Sequence, residues 1–177
     1  MATKKQVKHL LDELKTIHEN CLYTGQAHFV IAERYKIQTL LFLTLPSLVA
    51  ATGGLLAALD CNPKAWGAIA ALAATIITVA SILGVDKKAE GHFQAGNAFT
   101  ALRHEARAMF ETYWVNMTKA EILSETKRLN DRYNVQIQMF DAPDDKAFEK
   151  GRAKIKRGIF LPDFREKAKS QDRDASA

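Results

Sequence analysis

Five histidines, two cysteines and a scatter of carboxylates are the residues of this 177-residue chain whose types could do chemistry. Imidazole beside a carboxylate serves general-base catalysis and metal ligation, and on a helix the two must stand three or four positions apart. His28 and Glu33 are five apart and His104 adjoins Glu105, so neither pair shares a helix face. His9, His18 and His92 read as ordinary polar positions. Gly53-Gly54 and Gly96 lack the context of a phosphate cradle, and no Gly-x-Ser-x-Gly nucleophile pattern occurs. Cys21 and Cys61 fall near opposite ends of one apolar run, out of disulfide reach of each other and outside any metal-ligand spacing; both read as free, small apolar side chains. The residue types predict no enzyme, no cofactor and no metal.

The remaining polar chemistry is hydroxyl oxygen set in apolar surroundings. Two uncharged runs, 37–59 and 65–85, are separated only by Asp60-Cys61-Asn62-Pro63-Lys64. Each exceeds the roughly 18 residues at which a lipid-spanning helix becomes the default, and at about 1.5 Å per residue each matches a bilayer's hydrocarbon core. On the first run Thr44, Ser47, Ala51, Gly54 and Ala58 recur at steps of three and four, with leucines on another face. On the second, Gly67, Ala71, Ala74, Thr78 and Ser81 form the small stripe and Leu72, Ile76, Val79 and Leu83 the bulky one. Small residues let backbones approach and hydroxyls bond across helices, whereas leucine and isoleucine suit lipid tails. The two small stripes either satisfy one another within one hairpin, or leave Thr44, Ser47, Thr75, Thr78 and Ser81 lining a narrow path between several hairpins. Pro46 removes one backbone hydrogen bond and Thr52-Gly53-Gly54 loosens the helix further, so Pro46 and Gly53 are expected hinges.

The flanks set an expected topology. Arg34 and Lys36 precede the first run, Lys87 and Lys88 follow the second, and the connecting loop holds one charge of each sign. That bias keeps both termini in the cytoplasm, with Tyr35 and Trp66 at the two interfaces. The basic start Met1–Lys5 has no apolar core behind it at signal-peptide distance, so the first run must direct insertion itself. Neither run holds Asp, Glu, Lys, Arg or His, and the loop is too short for a re-entrant filter. A proton-coupled transporter or highly selective channel is therefore disfavoured; a pore, if formed, is weakly selective and oligomeric. A soluble bundle that buries the hairpin on all sides would need far more protein than this chain supplies.

The expected architecture is an all-α membrane protein: a transmembrane hairpin (37–85) continuous with long amphipathic cytoplasmic helices, residues 1–36 before it and a helical region 86–158 after it, then a polar, partly disordered tail at 159–177. The arm to Lys36 carries Val7, Leu10, Leu11, Leu14, Ile17, Cys21 and Leu22 at helical spacing, with Gly25 a possible interruption. The returning arm, 86–114, carries Ala89, Phe93, Gly96, Phe99, Leu102, Ala106, Phe110 and Tyr113, and the two should pair into a stalk. A capping box at Thr118 to Glu121 starts a further helix to about Tyr133, and 135–140 alternates as an extended segment could. Asp141-Ala142-Pro143-Asp144 opens a basic helix that Gly158 closes. Its Lys146, Lys150, Arg152, Lys154, Lys156 and Arg157, followed by Arg165, Lys167 and Lys169, form a solvated face, attract anionic lipid, or meet a phosphate-bearing partner. Sparse aromatics give no stacking platform, so sequence-specific nucleic-acid binding is not expected.

In this order, Ala32-Glu33-Arg34-Tyr35-Lys36, the hairpin, and then Asp86, Lys87, Lys88, Ala89, His92, Phe93, Ala95-Gly96, Phe99 and Leu102 resemble the SLATT family of small bacterial effectors with two transmembrane helices. The resemblance implies a role in antiphage defence in the bacterial inner membrane: a homo-oligomeric pore opened by a nucleotide messenger or by a sensor protein encoded nearby, depolarising the infected cell. The chain departs from fused versions in carrying no recognisable sensor domain. The alternative is a membrane-anchored scaffold whose cytoplasmic helices recruit a soluble partner.

Overall fold

The structure, a computed structural model, describes residues 4–158. The described chain is helical throughout, with no strand among these residues. Helix α1 (Lys4–Thr39) runs without interruption past Gly25 into a π-turn at Leu40–Thr44 and then helix α2 (Leu45–Ala58). The π-turn has a local cause. Pro46 supplies no N–H and its ring crowds the carbonyl four residues back, so the preceding turn widens and the Leu45 N–H reaches the Leu40 carbonyl. Pro46 thus stands beside an irregular turn, as a hinge residue would. At Gly53 the helix is regular.

A tight turn with left-handed Asp60 and Asn62 leads into α3 (Pro63–Ile82). The second apolar helix ends three residues before the expected limit at 85, because Gly84 takes φ +61° and breaks it from α4 (Val85–Glu111). One arm is therefore continuous with its apolar helix through a π-turn, and the other is set off by a glycine. The two continuous helical stretches that contain α2 and α3, Lys5–Ala58 and Pro63–Glu111, are long and apolar enough to cross a membrane, and only 6% and 11% of their most apolar windows are buried within the chain. Most of those leucines and isoleucines are exposed.

Below the hairpin, α1 and α4 pair along their length as the apolar stripes require. Leu14, Ile17 and Cys21 meet Phe99, Leu102, Ala106 and Met109 in one core, closed by Ile122 and Leu129 of α5 (Lys119–Met139). The helices approach closely at Gly25, where a Cβ would stand 3.2 Å from that of Phe99. Glycine here is a packing residue, not a break. The Thr118–Glu121 capping box is formed, with a short 3-10 turn (Tyr113–Asn116) before it. α5 continues to Met139, so the alternating stretch 135–140 is helical nearly to its end: Val135, Ile137 and Met139 face outward while Arg128 and Arg132 pair with Glu105 on α4.

Helix α6 (Asp145–Lys156) begins at an Asp144 cap, one residue beyond Pro143, and Gly158 is left-handed at its end. It docks on α1 through Ala147 against Val30 and Ile31, and through Gly151, whose missing Cβ lets it sit on the Gln26–Ala27 backbone. Arg165, Lys167, Lys169 and the tail 159–177 lie outside the described residues.

Candidate functional site

The hairpin has its own seam. On α2 and the turn before it the inward positions are Leu43, Pro46, Ala50, Gly53 and Ala57; on α3 and just beyond they are Trp66, Ala70, Ala73, Ile77, Ala80 and Gly84. Both sets step by three and four, the spacing of two helices packed side by side. The tightest point is Gly53, where a Cβ would stand 3.2 Å from the Trp66 carbonyl oxygen and 3.4 Å from the Ala70 Cβ. Gly53 is there to let the helices touch.

The small stripe read from sequence lies one position further round. Thr44, Ser47, Ala51 and Gly54 are exposed, as are Ala71, Thr75, Thr78 and Ser81, with Gly67 half-buried. A Cβ added at Gly54 or Gly67 would meet nothing within 4 Å. One residue is about 100° of helix rotation, so the hairpin leaves this stripe unused on both helices. Of the two arrangements open from sequence, mutual satisfaction within one hairpin is not the one adopted. Alanine is so frequent here that either face could have served.

Three of the stripe hydroxyls bond along their own helix. Ser47 Oγ donates to the Leu43 carbonyl at 2.6 Å, Thr75 Oγ1 to Ala71 and Thr78 Oγ1 to Ala74, both at 2.9 Å. With their protons engaged, these groups present oxygen lone pairs outward. The stripe is a line of small residues and acceptors.

At the base of the hairpin the structure assembles a cluster that same-helix spacing could not find. His28 Nδ1 and His92 Nδ1 lie 3.0 Å apart across α1 and α4. His28 is 1% exposed and stacks on Phe99 at 5.6 Å, with Phe140 edge-on; His92 stacks on Tyr35 at 5.9 Å. A hydrogen bond between two imidazoles needs one donor and one acceptor, so at least one ring is neutral. Burial, with His92 adding repulsion against the partial pull of Asp141, pushes His28 down to about 4; burial also lowers His92. Further along the stalk, His18 lies edge-on to Phe110 and is likewise pushed down to about 4, by burial and by Arg103 and Arg107. Signal for the pair existed in the hairpin itself: from Asn62, His28 lies 34 residues back and His92 30 forward, so antiparallel arms bring them level.

A pH dependence follows from these directions. Both rings have folded values below their unfolded one near 6.5, so the stability they contribute is complete above about pH 6.5 and is lost as pH falls toward 4. Allowing for partial solvent access, each ring contributes on the order of 2 kcal/mol. Denaturation of the full chain in neutral detergent should show a plateau above pH 7 and a steep loss between pH 6.5 and 4. A His28 ring that titrates near 6.5 by NMR contradicts this.

Elsewhere the polar groups are structural. Cys21 is buried, its thiol pushed up to about 12 by burial, and Cys61 is exposed in the turn; both are free. Among the described residues, His, Cys, Asp and Glu form no group of three or more that could hold a metal ion. Of the basic residues of α6 and its C-cap, Lys150, Lys154 and Arg157 line a cavity against α1, Lys154 half-buried and the other two exposed at its rim; Lys146, Arg152 and Lys156 are exposed away from it. Comparison with protein-family models, with curated proteins and with solved structures finds no match to this chain.

Proposed function

We propose that this protein is a membrane effector whose hairpins associate into a regulated, weakly selective pore. The observation that carries the reading is the stripe Thr44, Ser47, Ala51, Gly54 with Ala71, Thr75, Thr78 and Ser81, exposed beside leucine-rich faces after the hairpin has closed on other residues. In lipid, small residues favour helix–helix contact, and outward hydroxyl oxygens tolerate water or ions where leucine does not. Two helices enclose no path, so several copies must share one. The resemblance to SLATT effectors points the same way and supplies the biological setting: permeabilisation of the bacterial inner membrane in antiphage defence. The trigger, a messenger or a separate sensor, acts on the stalk and α5–α6 bundle. The test is release of a trapped dye from liposomes holding the purified chain; an oligomer that never leaks, with or without proteins encoded beside it, rules the pore out.

The reading places both ends in the cytoplasm and the turn outside, from Arg34, Lys36, Lys87 and Lys88 on one side of the apolar layer. The chain carries its own probe. Cys61 is exposed in the turn and Cys21 is buried with a suppressed thiolate, so a membrane-impermeant maleimide added to spheroplasts should modify Cys61 and spare Cys21. Labelling that requires lysis reverses the topology.

A further inference from the structure

A cavity of about 430 Å³ lies between α1 and α6, walled by Val30, Glu33, Arg34 and Ile37 of one helix and Lys150, Ala153, Lys154 and Arg157 of the other. Four cations face the single carboxylate of Glu33. Ile37 is the first residue of the uncharged run that leads into α2, so the cavity opens where the chain passes from charged to apolar. Lys150, Lys154 and Arg157 stand at i, i+4 and i+7, one face of α6, and that face is the one turned to Ile37.

The helix bearing these cations is held in place. Arg34 Nη1 donates to Asp144 at 2.7 Å, Lys154 Nζ donates to Glu33 at 3.0 Å, Ala147 is fully buried, and Gly151 rests on the α1 backbone. The two ion pairs balance Arg34 and Lys154, which leaves the charge of the exposed Lys150 and Arg157 in excess on a docked helix. A wholly solvated basic face would have no need of such anchoring, nor of apolar walls from Val30, Ile37 and Ala153.

We infer that this cavity receives the phosphate headgroup of an anionic phospholipid of the inner leaflet, with Lys150 and Arg157 contacting the phosphate and Ile37 the start of the chains. The inference rests on the membrane reading above. Cations held close to an anionic surface gain attraction that salt screens, and preorganisation spares the ordering cost of finding the headgroup. An occupied cavity would pin α6 to α1 at the membrane face.

The test is native mass spectrometry of the full chain in neutral detergent, with phosphatidylglycerol, phosphatidylcholine of the same chains, or inorganic phosphate. The expected result is retention of phosphatidylglycerol about tenfold over phosphatidylcholine, with phosphate alone scarcely held. In Lys150→Gln/Arg157→Gln the preference falls to near unity, while Lys5→Gln/Lys8→Gln, at the far end of α1, keeps it. Equal retention of both lipids, or a preference untouched in the cavity variant, overturns the site. Phosphate held as well as the lipid overturns the lipid source in favour of a soluble anion. Flotation of the same protein with vesicles separates the two levels: a chain that floats with neither lipid removes the membrane reading along with the site, and one that floats with both upholds the membrane reading and leaves the mass-spectrometric preference to decide the site.

Discussion

Thr78→Leu, and separately Ser81→Leu, abolish dye release from liposomes and toxicity in the producing cell while leaving carbonate-resistant insertion as in the parent. Both positions are exposed on α3, one residue round from the seam positions Ile77 and Ala80. A leucine there adds bulk where neighbouring hairpins are expected to meet and replaces an oxygen by a methyl group, but it makes the helix more apolar, so insertion is favoured. Leu72→Ala is the contrast. Leu72 is 65% exposed on the bulky face, and losing a lipid-facing methyl cluster leaves the small stripe intact, so leak persists. The same logic separates the pore from the scaffold. Exchanging both apolar helices for unrelated hydrophobic ones preserves a scaffold that acts through its polar helices and destroys a pore.

The architecture was legible because its signals are long and redundant. Two charge-free runs with a five-residue interval admit little but a hairpin, and matched apolar stripes on the arms demand that α1 and α4 pair. The Thr118 capping box is local chemistry, visible in four residues and formed as written. What failed to show is what depends on rotation. The choice between the Thr44 stripe and the Pro46–Gly53 stripe is a 100° question, and both faces are small, so composition does not reveal which one packs. The stretch 135–140 alternates over too few residues to outweigh its continuation of an established helix, whose outward Val135 and Ile137 mimic one face of a strand. His28 and His92 escaped because their partnership runs across 64 residues of chain. Gly25 and Gly53, read as weak points in single helices, are close-approach residues once two helices are considered together.

Phe99→Ala produces the largest loss of stability expected in the polar bundle. Phe99 is 1% exposed and sits where three elements converge: its ring stacks on His28, meets Tyr133 edge-on at 6.1 Å and lies 6.4 Å from Phe140, and its Cβ faces Gly25 at a close approach of the stalk helices. Removing a buried phenyl ring costs about 3–5 kcal/mol when the walls cannot collapse. Here the close packing at Gly25 leaves the walls little room to move inward. For a bundle of this size that corresponds to roughly 15 °C or more in melting temperature, read by circular dichroism of the full chain in neutral detergent. Leu123→Ala, half exposed on α5, moves the melt by only a degree or two. A second readout ties the loss to the histidine pair. Without the ring water reaches His28, the burial that held it at about 4 is relieved, and its titration climbs back toward 6.5. The variant therefore loses less of its remaining stability between pH 6.5 and 4 than the parent does, because the folded and unfolded values of His28 have drawn together, whereas a substitution that merely weakens packing elsewhere lowers the melt at every pH and leaves His28 where it was.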